Sequence, residues 1–169
     1  MTLLIGEQPA GPGHEFKATF SVPYTPGTLK AVGVRNDQPV AESVLTTAGN
    51  ASKLRLTADR TVIDADGEDL SYVTVEAVDA EGRWQPHADQ EIQFAISGRG
   101  VIAAVGNGDG QGPASYQGDP RKLYQGRALV VVRTSKQTGS ITLTARTAGI
   151  AEAVTTIQAK AVDLGPPLP

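Results

Sequence analysis

The sequence predicts an all-β fold, arranged as two consecutive immunoglobulin-like β-sandwich domains. Short segments alternate apolar and polar residues, as in "SYVTVEAVD" (71–79), and this period of two is typical of half-buried strands. Turns rich in Gly, Asp and Asn separate the segments, and no helical period occurs between them. A series of short strands at this spacing indicates an antiparallel sandwich of two sheets.

The first unit, residues 1–49, is predicted to be a partial immunoglobulin-like domain. Its strands are expected at "TLLIG" (2–6), "EFKATFSV" (15–22), "TLKAVGVR" (28–35) and "PVAESVLTTA" (39–48). Four strands in about 50 residues bury too little surface for an independent core. We therefore expect a domain truncated at its N-terminus, cut from a longer protein, with an unpaired sheet edge beside Leu3, Leu4 and Ile5.

The second unit, residues 50–161, is predicted to be a complete sandwich of about seven strands. These strands are expected at "KLRLTA", "SYVTVEAVD", "QEIQFAIS", "GVIAAVG", "GRALVVVRT", "SITLTART" and "AVTTIQA". Their alternation predicts three inward-facing sets, namely Val73/Val75/Ala77, Ile92/Phe94/Ile96 and Ile141/Leu143/Ala145. Residues 162–169 are predicted to form a Pro-rich tail.

Composition excludes several classes of function. The 169 residues carry a net charge of −3 and no clustered Lys or Arg, so we expect no nucleic-acid partner. No apolar run approaches the roughly 20 residues of a membrane span, and we expect no membrane partner. Because cysteine is absent, disulfides, thiolate metal sites and a cysteine nucleophile cannot form. No cofactor is expected.

No catalytic residue is predicted in this sequence. The serine-hydrolase motif GxSxG does not occur, and His14 and His87 stand beside turns without a partner that would orient them as bases. Glu76 and Glu91 fall at outward positions of predicted strands, where a carboxylate is expected to be solvated. The glycines of "GNGDG" (106–110) are explained by a tight turn, since no helix follows whose N-terminus could bind phosphate.

Two groups of residues are candidates for binding, each with a plainer interpretation beside it. Asp64, Asp66 and Asp69 surround Gly67 in "DADGED" and could offer oxygens to calcium, but the Gly arrives too early for an EF-hand, and an Asx-rich turn accounts for them. Trp84, Tyr116 and Tyr124 could form a platform for sugar stacking, or they could simply pack loops. We therefore predict no metal site and no ligand site.

Two stretches of the sequence carry a resemblance to a known family. The segment "FKATFSVPYTPGTLKAVGVRNDQPVAESVLTTAG" resembles the accessory β-domain that follows the catalytic barrel in bacterial β-galactosidases of glycoside hydrolase family 2. The segments "LRLTADRTVIDADGEDLSYVTVEAVDAEGR", "VIAAVGNGDG" and "RKLYQGRALVVVRT" resemble the C-terminal immunoglobulin-like domain of the same enzymes. The loop "GQGPASYQGDP" and Trp84 depart from that pattern.

The resemblance implies an accessory role without catalysis. In the family, two glutamates on a (β/α)₈ barrel flank the glycosidic bond, and such a barrel needs about 250 residues. The acid/base Glu of the family follows an Asn, and none of the eight Glu here does, so no site residue is carried over.

The prediction is a non-catalytic C-terminal β-sandwich region of a glycoside hydrolase, most simply a β-galactosidase. Its expected partners are the catalytic and other domains of the parent chain, with carbohydrate as a further candidate. The parent is expected to be periplasmic or secreted. The alternatives are an adhesin or invasin-type immunoglobulin-like module and a carbohydrate-binding module, although invasin-like arrays repeat at a fixed period and the two units here differ.

Overall fold

A computed structural model describes residues 3–162 of the chain. The chain divides into two compact units, Met1–Thr47 and Ala48–Pro169, which are described separately below. The strands are β1 (Thr28–Arg35), β2 (Gln38–Thr46), β3 (Lys53–Ala58), β4 (Val62–Asp64), β5 (Leu70–Val78), β6 (Glu91–Gly98), β7 (Gly100–Gly106), β8 (Arg121–Lys122), β9 (Arg127–Thr134), β10 (Gly139–Thr147) and β11 (Ile150–Lys160). The predicted tail lies, from residue 163 onward, outside the described residues.

The first unit contains one β-hairpin. Strands β1 and β2 pair antiparallel and are joined by Asn36 and Asp37, whose φ angles of 50° and 59° are those of a type I′ turn. A bulge interrupts the register between Gly33 and Val34. Every residue of both strands is exposed, so the hairpin has no buried face within this unit.

Two of the four strands predicted for the first unit are wrong. The described part of "TLLIG" and all of "EFKATFSV" lie outside any strand, and a short 3-10 turn, Pro12–His14, comes between them. Glu15 and Phe16 have left-handed φ angles of 52° and 58°, which break an extended backbone. Alternation of apolar residues produces a strand only where a second strand satisfies its backbone groups, and here no described segment pairs with them.

The second unit is built from two sheets. One has the strand order β7-β9-β5-β3, and the other has β11-β10-β6-β8 with β4 parallel to the end of β11. Strands β3 and β11 also meet in parallel at a single pair, Lys53 and Ala151. All other pairings in the unit are antiparallel, as predicted for an immunoglobulin-like sandwich.

One hydrophobic core fills the space between the sheets and confirms the inward-facing sets. Val73, Val75 and Ala77 are fully buried, as are Ile141, Leu143 and Ala145, while Ile92 and Phe94 are buried and Ile96 is partly buried against them. All seven predicted strands are present within one to three residues of their predicted ends. The prediction missed β4 and β8, which at three and two residues are too short to show a period of two. Within residues 3–162 no helix has the length and hydrophobicity needed to cross a membrane.

Candidate functional site

The acidic turn after β4 uses its carboxylates to organise its own backbone. Asp66 accepts hydrogen bonds from the backbone N–H groups of Glu68 at 2.8 Å and Asp69 at 2.7 Å, which is the geometry of an Asx turn. These bonds hold the pKa of Asp66 below its usual value of 3.8. Gly67, with φ of 86°, completes the turn.

The other two aspartates of that turn pair with basic side chains of the protein. Asp69 accepts hydrogen bonds from the Arg60 guanidinium, with Nη2 to Oδ1 at 2.6 Å, and from the backbone N–H of Asp64. The bond from Arg60 lowers the pKa of Asp69 against the opposing effect of burial. Asp64 lies 3.4 Å from Lys160. Across residues 3–162 no group of three or more His, Cys, Asp or Glu side chains is arranged to hold a metal ion.

Glu76 does not lie on a solvated face, so the prediction for this residue is wrong. The side chain is buried on the outer side of its sheet between two arginines from the neighbouring strands. Arg55 Nη2 donates to Oε2 at 2.7 Å, and Arg127 Nη2 donates to Oε1 at 2.8 Å; the Nε of each arginine adds a second bond. The result is a carboxylate held by two paired arginine contacts.

Burial and hydrogen bonding shift the pKa of Glu76 in opposite directions. Burial is the largest influence and raises its pKa, but the bonds from Arg55 and Arg127 together outweigh it, and the pKa lies below the usual value of 4.5. Trp84 covers the cluster from outside, with its ring centroid 3.9 Å from the Arg127 guanidinium carbon. Glu76 is the direct cross-strand partner of both arginines, and because this register is set by the fold, the sequence alone did not reveal the cluster.

The three aromatic candidates fall into two different environments. Tyr116 and Tyr124 both line a shallow groove of about 400 Å³, formed by the loop after β7, strand β8 and the residues before β6. Trp84 is absent from the lining of that groove; its Nε1 donates to the backbone oxygen of Gln125, and its ring stacks on Arg127. The structure therefore brings two of the three residues together and gives Trp84 a packing role.

The groove also contains polar groups that the sequence analysis did not select. Its walls include Asn107 and Asp109 from the "GNGDG" turn and Arg121 from β8. Exposed His87 lies at the rim, and buried Leu123 lies in the wall. Apart from His87, these residues lie within 107–123, on a loop and a short strand without any period, so spacing along the chain gave no signal for them.

The β1–β2 hairpin presents a second surface, which we name the hairpin face. Up to the bulge, one side of the hairpin carries only uncharged residues, paired across the strands as Leu29 with Leu45, Ala31 with Ser43, and Gly33 with Ala41. The opposite side carries the Lys30–Glu42 ion pair at 2.5 Å. Leu29 is 44% exposed and Leu45 is 69% exposed, so the apolar side of the hairpin is uncovered within its unit.

The fold and these surfaces define an all-β module whose main unit is an immunoglobulin-like sandwich. A family model described as glycoside hydrolase family 2 C-terminal domain 5 matches residues 54–156, and the chain belongs to that family. A second model, for a domain of unknown function (DUF4982), matches residues 4–41.

The chain spans only a small part of the length of the known relatives that it matches. Beta-galactosidase BoGH2A from Bacteroides ovatus is 38% identical over 141 residues, which is 83% of this chain but 17% of the relative. A beta-glucuronidase from Formosa agariphila is 29% identical over 153 residues, 89% of this chain and 15% of the relative. The crystal structure of a glycosyl hydrolase family 2 member from Bacteroides cellulosilyticus superposes with a TM-score of 0.83 at 38% identity, over 90% of this chain and 21% of that one.

Proposed function

We propose that this chain is a non-catalytic C-terminal accessory region of a larger glycoside hydrolase, and that the larger protein is a β-galactosidase. The observation that carries the proposal is the match of residues 54–156 to a C-terminal domain of glycoside hydrolase family 2. The 17% share of the Bacteroides ovatus β-galactosidase that this chain spans supports the same role. The adhesin-type alternative gains no support from that family match.

The role we propose is mechanical, with the hairpin face packing on other domains of the parent protein. Leu29 and Leu45 give this face an apolar centre, and it carries no charge that would have to be desolvated on packing. Apolar surface left uncovered in one unit stabilises a protein when a neighbouring domain removes it from water. We further propose that the parent protein works in the periplasm or outside the cell, where polymeric glycosides are found.

The catalytic part of the proposal is tested with chromogenic substrates. The purified chain is expected to hydrolyse neither a β-galactoside nor a β-glucuronide, because residues 3–162 form strands and turns and include no (β/α)₈ barrel, on which the two catalytic glutamates of the family lie. The full-length parent protein is expected to hydrolyse the β-galactoside. Turnover by the purified chain, or preference of the parent for the β-glucuronide, would contradict the respective part of the proposal.

The mechanical part is tested in the full-length parent with two matched variants. Leu29→Arg places a charge on the hairpin face, whereas Lys30→Gln alters the adjacent residue on the opposite side. We expect Leu29→Arg to lower the temperature at which the parent loses activity by several degrees, and Lys30→Gln to leave it unchanged. Equal behaviour of the two variants would show that the hairpin face is not a packing surface.

A further inference from the structure

The loop between β7 and β8, residues 107–120, holds an exposed tyrosine in a fixed position. The backbone oxygen of Tyr116 accepts a hydrogen bond from the N–H of Val105 at 2.7 Å, so the loop is tied to the edge of β7. The ring lies against the backbone of Gly106, where an added Cβ would stand 3.2 Å from Cε1. Even so, 66% of Tyr116 is exposed. A flat apolar surface is thus positioned by the protein and left open to solvent.

Arg121, in the wall of the same groove, is buried without a carboxylate partner. It is 4% exposed, its Nη2 donates to the backbone oxygens of Ser115 and Gly118, and its Nε has no acceptor among the described residues. Guanidinium groups stay charged in proteins, and a buried donor without an acceptor is costly. Arg121 therefore places a positive charge in the wall of the groove.

Hydrogen-bond acceptors complete the groove. Asn107 is fixed by two bonds, from its Nδ2 to the backbone oxygen of Lys122 at 2.9 Å and from the N–H of Asp109 to its Oδ1 at 3.1 Å. The Asp109 carboxylate accepts from the N–H of Gln111 at 3.0 Å, and this single bond leaves most of its acceptor capacity free. Asp89 and Lys122 pair with each other at 2.9 Å and so contribute no net charge.

We propose that this groove binds a neutral pyranose sugar. A pyranose has a face of C–H groups that can lie on the Tyr116 ring, and a rim of hydroxyls that both donate and accept hydrogen bonds. Asp109 supplies an acceptor for those hydroxyls, and the opposite charges of Arg121 and Asp109 leave the groove without a preference for an ionic ligand. The volume of about 400 Å³ falls in the range of known small-molecule sites. The proposed accessory role supplies only the choice of sugar for the test.

The test is a titration of the ¹⁵N-labelled chain with methyl β-D-galactopyranoside, followed by amide chemical shifts. We expect saturable shifts around residues 107–124 with a dissociation constant of about 1 to 10 mM, as suits an open groove. Galactitol, an open-chain polyol that offers hydroxyls but no ring face, is expected to bind at least ten times more weakly. Absence of shifts up to about 50 mM sugar, or equal shifts with galactitol, would overturn the proposal.

Variants of the chain separate binding from folding. Tyr116→Ala removes the aromatic face, and Asp109→Asn keeps the bond to Gln111 while removing the charge; each is expected to weaken binding at least tenfold. Tyr72→Ala removes a tyrosine that is 43% exposed on β5, outside the groove lining, and is expected to leave binding unchanged. Undiminished binding by Tyr116→Ala in a chain with a native spectrum would refute the site. Failure of sugar binding would leave the result of the hydrolysis assay unaffected.

Discussion

At the scale of single residues, Glu76 shows how a charged group is retained inside a sheet surface. Glu76 is 8% exposed, and four hydrogen bonds from Arg55 and Arg127 satisfy its carboxylate. Both arginines remain about half exposed, so part of the interaction is screened by water. Removal of the carboxylate charge would leave the positive charges of Arg55 and Arg127 facing each other across β5. A substitution of Glu76 therefore tests the role of the cluster directly.

Glu76→Gln is expected to lower the free energy of unfolding by about 2 kcal/mol, less than for a fully buried pair because the arginines are partly solvated. Glu91→Gln, an exposed position on β6, serves as the control and is expected to change it by less than about 0.5 kcal/mol. Urea unfolding followed by the fluorescence of Trp84, the single tryptophan, measures both. Equal losses in the two variants would contradict the assigned role of Glu76.

The lowered pKa of Glu76 also predicts a pH dependence. Because the folded pKa lies below the usual 4.5, the stability contributed by the carboxylate is present above about pH 4.5 and is lost as the pH falls through the folded value. The difference in unfolding free energy between the wild type and Glu76→Gln is therefore expected to be constant from pH 7 to pH 5 and to shrink below about pH 4.5. Urea titrations of both proteins at several pH values measure this difference in unfolding free energy. A difference that grows on acidification would contradict the assignment.

At the scale of elements, sequence periodicity predicted the longer strands that have partners, and it predicted strands that do not form where no partner exists. The alternating segments of the sandwich form β3, β5, β6, β10 and β11 because each one has a neighbouring strand and a core to cover. "EFKATFSV" has the same alternation but no neighbour among the described residues, and Phe16 is 77% exposed. The candidate groove could not be predicted, because Tyr116, Arg121 and Asp109 are brought together by a loop without a period.

Gly98 is the element-scale position where a glycine is required. It ends β6 with φ of 94°, just before the chain crosses to β7 in the other sheet, and an added Cβ would lie 2.0 Å from the backbone oxygen of Ser140. Gly98→Ala is expected to cost about 3 kcal/mol or more of unfolding free energy, from left-handed strain together with the backbone clash. Gly82→Ala has a similar φ of 84° but open space around it, so about 1 kcal/mol is expected. Thermal unfolding of the two variants compares their losses of unfolding free energy. Similar losses would show that the backbone near Ser140 moves enough to remove the clash.

At the scale of the whole molecule, the two units differ in how much they can stabilise themselves. The described core residues all lie between Leu54 and Ala159, in the second unit. In the first unit, no residue from 3 to 47 is buried, and the hairpin consists of two strands that pair with each other. An isolated two-stranded hairpin is marginally stable in water, whereas a sandwich with a filled core folds cooperatively.

This asymmetry predicts that the stability of the chain resides in the second unit. Calorimetry of residues 1–169 and of residues 48–169 is expected to give one transition each, with midpoints within about 2 °C, because removal of an uncovered hairpin leaves the core intact. A peptide of residues 1–47 is expected to show no cooperative transition and little dispersion of its amide resonances. A second transition in the longer chain, or a dispersed spectrum from the peptide, would show that the first unit folds by itself. In that case the hairpin face would not need a covering domain, and the packing role proposed for it would lose its physical basis.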